Sequence, residues 1–237
     1  MKFLKLTSLL LATALLSFSC DDNGFCLEGE GGTETRSLQL ANISGVDVSG
    51  NAKVYISRGS QQSVEVRGQA NVLDELETKV EDGVWSVEFD RCLRNHEPVE
   101  VYITVPELQR AHVGGSGYIE LKDMFESRAF DTSVSGSGDI LLRVATERLD
   151  ADISGSGTIR AAGMANRQDV SISGSGKYKA QDAMSREVSI SISGSGEAEV
   201  NASEQLNADI SGSGRVYYTG SGNSSVSGSG KVVKNKE

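Results

Sequence analysis

The chain has 237 residues, with 6 Phe, 6 Tyr, 1 Trp, 27 Gly and only 2 Pro, a composition that excludes a collagen, a coiled coil and a disordered tail. Its 23 Lys and Arg against 33 Asp and Glu give a formal charge of −10. A nucleic-acid polyphosphate would meet net repulsion, so nucleic acid is excluded as a partner.

Lys2 and Lys5 precede the apolar stretch 6–18, which at 13 residues is too short to cross a hydrocarbon core of about 30 Å as a helix. Residues 1–19 therefore read as a secretory signal peptide. The run Leu16-Ser17-Phe18-Ser19-Cys20 resembles the lipobox of bacterial lipoproteins, with Phe18 a departure from the usual small or aliphatic residue. That resemblance implies a lipid on Cys20 and a membrane contact through it; ordinary cleavage near Ser19 with Cys20 left as a thiol is the alternative. Residues 20–36 are polar and Gly-rich, as a tether would be. Cys26 and Cys92 share an oxidising compartment after export, where they are either free or joined in a disulfide contributing about 2–4 kcal/mol. No CxxC or HxxxH spacing groups the cysteines with His96 and His112, so no metal site is expected.

Residues 37–108 form short alternating runs: Val46-Asp47-Val48, Val54-Tyr55-Ile56, Val64-Glu65-Val66, Val84-Trp85-Ser86-Val87 and Val99 to Val105. Turn signals such as Ser49-Gly50-Asn51 and Asp82-Gly83 separate them, which predicts strands. Asn71 to Leu76 is the one predicted helical turn, with Asn71 as N-cap.

Residues 109–233 are organised by Gly-Ser-Gly, which begins in phase at Gly115, Gly136, Gly155, Gly174, Gly194, Gly212 and Gly228, at spacings of 21, 19, 19, 20, 18 and 16, while an eighth copy, Gly220 to Gly222, is out of phase and reads as a turn. A near-constant period announces a solenoid. Two residues before each motif stand Val113, Val134, Ile153, Ile172, Ile192, Ile210 and Val226. Two residues after it stand Ile119, Ile140, Ile159, Tyr178, Ala198, Val216 and Val232. The parity of a strand sends both columns and the motif glycines inward, and turns Ser137, Ser156, Ser175, Ser195 and Ser213 to solvent. Outward charges such as Lys177, Glu197 and Arg215 then become ladder neighbours. The fold class expected is all-β, a parallel β-helix with coils of about 19 residues forming a single domain over 37–233, followed by a charged tail at 234–237. A propeller needs about 40 residues per blade and a leucine-rich repeat needs a Leu ladder; both are excluded.

The blocks Ile43-Ser44-Gly45-Val46-Asp47-Val48, Val54-Tyr55-Ile56 with Ser63-Val64-Glu65-Val66, Val101 to Pro106, and the Ser-Gly-Ser-Gly coils resemble the auto-transporter adhesin head domain of the GIN type, over roughly residues 38–230. The resemblance implies a right-handed parallel β-helix in a lipoprotein of the Gram-negative envelope, at the outer membrane or cell surface or on its periplasmic side. It supplies no catalytic residues.

Three functions compete: a non-catalytic adhesion or binding module, a polysaccharide lyase or hydrolase, and a structural envelope protein without a ligand. The aligned outward acids Asp152 and Asp209 stand three rungs, roughly 14 Å, apart, whereas a glycosidase pair needs about 5–9.5 Å. A nine-residue calcium roll, a phosphate loop and a nucleophile elbow are also missing. No catalytic residue, cofactor or metal ligand is assigned. The candidate binding face is the outward ladder Ser137, Ser156, Ser175, Ser195 and Ser213, with Tyr118, Tyr217 and Tyr218 as exposed aromatics beside it. Its expected partners are glycans or envelope proteins, with self-association through the same face. Metabolic labelling with a fatty-acid analogue is expected to tag the wild-type chain and to fail on Cys20→Ala; label retained by the variant would refute the anchor.

Overall fold

The computed structural model describes residues 26–235, so the signal segment and Cys20 lie outside the described residues. Alternating β-branched residues make strands wherever they occur. The first half contains β1 (Leu27–Glu28), β2 (Thr33–Leu38), β3 (Gly45–Gly50), β4 (Lys53–Arg58), β5 (Ser63–Gln69), the one-turn helix α1 (Ala70–Leu73), β6 (Val80–Glu81), β7 (Val84–Val87), β8 (Leu93–Arg94) and β9 (Glu100–Val105). The second half contains β10 (Arg110–Gly115), β11 (Tyr118–Leu121), β12 (Phe125–Gly136), β13 (Asp139–Gly155), β14 (Thr158–Gly174), β15 (Lys177–Gly194), β16 (Glu197–Gly212), β17 (Arg215–Thr219), β18 (Asn223–Gly228) and β19 (Lys231–Lys234).

These strands stack as a parallel β-solenoid. From β10 through β12, β13, β14 and β15 to β16 the pairing is parallel, and the first glycines fall opposite one another: Gly115, Gly136, Gly155, Gly174, Gly194 and Gly212. Both predicted aliphatic columns are buried from Val113 to Ile210 and from Ile119 to Val216. One continuous core results, because a single coil cannot cover its own inner face.

The two glycines of each motif do different work, which the strand parity alone did not separate. The second glycine is inward. A Cβ on Gly196 would stand 2.5 Å from Ile172 Cγ2, and one on Gly214 would stand 2.7 Å from Ile192 Cγ2. The methyl of the β-branched residue one coil earlier thus fills the place of the missing side chain. The first glycine is instead a half-exposed corner with positive φ, +125° at Gly194, and a Cβ there would meet the Gly174 carbonyl oxygen at 2.5 Å. Only a residue without Cβ holds that conformation without strain.

The first half is not stacked in chain order. β3 and β4 lie between the coil that carries β7 and β9 on one side and the coil of β10 and β11 on the other. β9 slots between β4 and β5, parallel to the first and antiparallel to the second, and β2 pairs antiparallel with β5. The antiparallel β2–β5 pair and α1 close this end. Residues 27–38, most of which were read as tether, are therefore partly strand. Thr33-Glu34-Thr35-Arg36-Ser37-Leu38 alternates as an edge strand does, and Cys26 is disulfide-bonded to Cys92 beside the short β1–β8 pair. α1 begins at Ala70 with Gln69 as N-cap. Asn71 lies inside it, where its side-chain amide donates to Glu28 O and its Oδ1 accepts from Glu30 N.

The opposite end is short of residues. Only 16 separate Gly212 from Gly228, so β18 stops two places early, with Val226 opposite Ala208 and Gly228 opposite Ile210. Among the described residues no further coil covers it, and Val226 is 49% exposed; the inward expectation fails at this residue. Tyr218, read as exposed, is buried, because its parity matches that of Val216. Within the core, Tyr178 donates to Gln168 Oε1 at 2.7 Å and Gln168 Nε2 donates to Ser185 Oγ at 2.6 Å. Each polar group there has a partner, as burial requires.

Candidate functional site

Ser137, Ser156, Ser175, Ser195 and Ser213 are exposed at successive corners. The backbone N–H of each donates to the first motif glycine of the preceding coil, at 2.8–2.9 Å, which fixes them at a rung repeat of about 4.8 Å. Two further outward columns accompany them: Ser135, Ser154, Ser173, Ser193 and Ser211, and then Ser133, Asp152, Ser171, Ser191 and Asp209. Together these make a flat face rich in hydroxyls. A shallow groove of about 300 Å³ runs between Asp152, Ser154, Ser171, Ser173, Ser191 and Ser193. A neighbouring one of about 360 Å³ contains Ser189, Ser191, Asn207, Asp209 and Ser227. The strand serines, not the motif serines, line these grooves; the runs Ser171-Ile172-Ser173 and Ser191-Ile192-Ser193 before two of the motifs carried that signal.

His112 sits in the same outward layer, between two carboxylates. Nε2 is 3.0 Å from Asp131 Oδ2, and Nδ1 is 3.4 Å from Asp47 Oδ1. Arg110 Nε also reaches Asp131, at 3.3 Å. With both ring nitrogens facing acids, His112 bridges the coils that carry Asp47 and Asp131. Among the described residues no group of three or more His, Cys, Asp or Glu is placed to hold a metal ion.

A tyrosine ladder occupies another face. Tyr55 stacks on Tyr102 with ring centroids 5.3 Å apart and meets Tyr118 edge-on at 6.0 Å, and Lys122 Nζ lies 4.6 Å from the Tyr55 ring. Tyr55 thus spends one ring face on Tyr102 and is also engaged by a cation, which makes the cluster a brace between coils. Tyr118 donates to Glu120 Oε2 at 2.9 Å; burial and then this bond push its hydroxyl up to about 12. Lys122, 2.8 Å away, holds the Glu120 carboxyl below its usual range.

Beyond Glu120 the same outward column continues through Leu141, Arg160, Lys179 and Glu199. Here the coils fall out of step. Three residues of β15, Gln181, Asp182 and Ala183, have no partner in β16, which pairs Ala180 with Val200 and Met184 with Asn201. The bulge borders a cleft of about 380 Å³ whose floor includes Leu141 and Ala162 and whose rim carries Arg143, Arg160, Lys179 and Asp182.

Charges pair between coils, at the cleft and away from it: Lys179 with Glu199 at 3.1 Å, Arg148 with Asp169 at 3.1 Å, Arg167 with Glu187 at 3.6 Å and Arg186 with Glu204 at 2.7 Å. Lys177, Glu197 and Arg215 are register neighbours.

Residues 42–222 match the family described as "Putative auto-transporter adhesin, head GIN domain"; the chain belongs to this family. Its fold is also that of three crystal structures. A "putative adhesin" from Bacteroides fragilis is 21% identical with a TM-score of 0.80, covering 88% of this chain and 100% of that one. A "putative lipid binding protein" from Parabacteroides distasonis is 24% identical, TM-score 0.74, covering 89% and 99%. A "putative adhesin" from Parabacteroides merdae is 20% identical, TM-score 0.73, covering 90% and 100%. No curated protein matches the chain.

The Asp169 carboxyl is held below its usual range by the Arg167 guanidinium, against partial burial, with Arg148 adding to the effect. A depressed folded-state value means that the stabilisation is present at neutral pH and is lost as pH falls through that value. Asp169→Asn is expected to lower stability by at most about 1 kcal/mol at pH 7. Denaturant titrations at pH 7 and pH 3 should show the gap between variant and wild type closing in acid; a gap that is equal at both pH values would refute the pair.

Proposed function

We propose that this chain is a non-catalytic adhesion module of the bacterial envelope. It is exported and held by a lipid on Cys20 at the outer membrane or cell surface, where it displays repeated shallow polar contacts to glycans or envelope proteins. The observation that carries this reading is the in-register serine face, three columns wide, on a stack of coils whose backbone is hydrogen-bonded from coil to coil. A polar face with few aromatics binds weakly at each rung, so useful affinity comes from several rungs engaged together. The adhesin description of the family supports the reading, and the name of the Parabacteroides distasonis relative points to the same cellular surroundings.

The enzymatic alternative finds less support. Asp152 and Asp209 lie three rungs apart with Ser171 and Ser191 between them, which is too far for a paired-carboxylate hydrolysis. Self-association along the rod is opposed at the β19 edge by Lys231 and Lys234, charges that discourage edge pairing.

A variant carrying Ser156→Lys, Ser175→Lys and Ser195→Lys tests the face. Wild-type protein is expected to bind members of a glycan array or an envelope fraction, and the variant to lose that binding while keeping the circular dichroism spectrum of the folded β-solenoid. Undiminished binding by the folded variant would remove the serine face from the account.

A further inference from the structure

The geometry points to a second binding site, distinct from the serine face: the cleft at the β15 bulge is a subsite for a uronic acid unit of an acidic saccharide. This inference rests on the adhesion reading and gives it a ligand chemistry.

Four observations lead there. Arg160 and Lys179 are direct register partners on neighbouring coils, an arrangement of like charges that costs a sheet stability. Glu199 compensates Lys179 at 3.1 Å. Among the described residues no carboxylate lies within ion-pair distance of Arg143, and Arg160 reaches only Asp139, at 3.8 Å. Neither guanidinium is held in a close ion pair, although Arg143 acts on Glu120 through space and Arg160 on Asp139, so both can turn to an incoming anion, and guanidinium is the group best shaped for a carboxylate.

The rim also states what kind of anion fits. Glu120 is already engaged by Lys122 and Tyr118, but its charge, with those of Asp182 and Glu199, stays at the cleft. Three acids would repel a dianionic phosphate and tolerate a single carboxylate. The same acids, with Gln181, accept hydrogen bonds from sugar hydroxyls. Leu141 and Ala162 give the floor an apolar patch, suited to the C–H face of a pyranose. Finally, the bulge is an irregularity in otherwise regular stacking, of the kind that re-aims side chains at functional sites; it is what brings Gln181 and Asp182 to this rim.

Calorimetric titration with tetragalacturonate, with its methyl ester and with inorganic phosphate tests the assignment. Wild-type protein is expected to bind the tetragalacturonate saturably and the uncharged ester about tenfold more weakly, as expected for loss of a charge-assisted contact. Arg143→Gln/Arg160→Gln should weaken tetragalacturonate binding by about tenfold or more without lowering the thermal midpoint, since it removes the Arg160–Lys179 repulsion. Asp182→Ala, which leaves both arginines in place, should weaken it several-fold through the lost hydroxyl contact. No saturable binding, equal binding of the ester, indifference to the double variant, or phosphate binding as tightly as the saccharide would each overturn it. The two readings fail separately. Loss of tetragalacturonate binding with array binding still sensitive to the serine variant sinks the cleft alone. Array and envelope binding absent from the wild type sinks the adhesion reading, whatever the titration returns.

Discussion

The molecule depends on one steric exchange: the second glycine of each Gly-Ser-Gly gives up its side chain, and a methyl from the coil before takes the vacated space. Ile172 against Gly196 and Ile192 against Gly214 show the contact directly. Because the donor of the methyl is a β-branched residue, its χ1 is restricted and the fit repeats faithfully from coil to coil. Close packing of this kind leaves no room for a sliding register. The first glycine completes the arrangement, turning the chain through a positive-φ corner and accepting, through its carbonyl, the N–H of the next coil's serine.

The surface follows from that interior. Once the inward positions are taken by valine, isoleucine and glycine, the intervening residues are displayed in straight columns about one rung apart. Serine columns, ion-paired columns and the tyrosine brace are three uses of the same geometry. The regular faces offer repetition and shallow relief. The β15 bulge interrupts one of them, and there concavity coincides with two arginines that lack a close ion pair.

How much of this was legible in the sequence varied with locality. The Φ-x-Gly-Ser-Gly-x-Φ columns were readable because strand parity is local, and the charge neighbours followed from counting between motifs. The stacking order of the first half was not readable: β9 enters between β4 and β5, a choice set by tertiary pairing between runs such as Val54 to Ile56 and Val101 to Ile103 that look alike in sequence. Strand parity also treated the two glycines as equals, since it has no means of marking a corner. The exposure of Val226 was implicit in the final spacing of 16, but its meaning required knowing where the last coil stops. Asn71 looked like a cap because Asn caps helices, and it is instead bound to the Glu28–Glu30 segment, a contact between residues 41 or more apart in the chain. As for the site, the motif serines were visible as a repeat, whereas the cleft arises from three residues without partners in the next coil, which only the register reveals.

The steric exchange is measured most directly by a double-mutant cycle on Gly196→Ala and Ile172→Ala, with stability read from denaturant unfolding. The account predicts that Gly196→Ala costs about 1–3 kcal/mol in the wild-type background, and that Ile172→Ala relieves a large part of that cost, leaving a coupling of at least about 0.5 kcal/mol. Costs that simply add, within about 0.3 kcal/mol, would show that the isoleucine methyl does not occupy the glycine's vacated space and would contradict the account at its base.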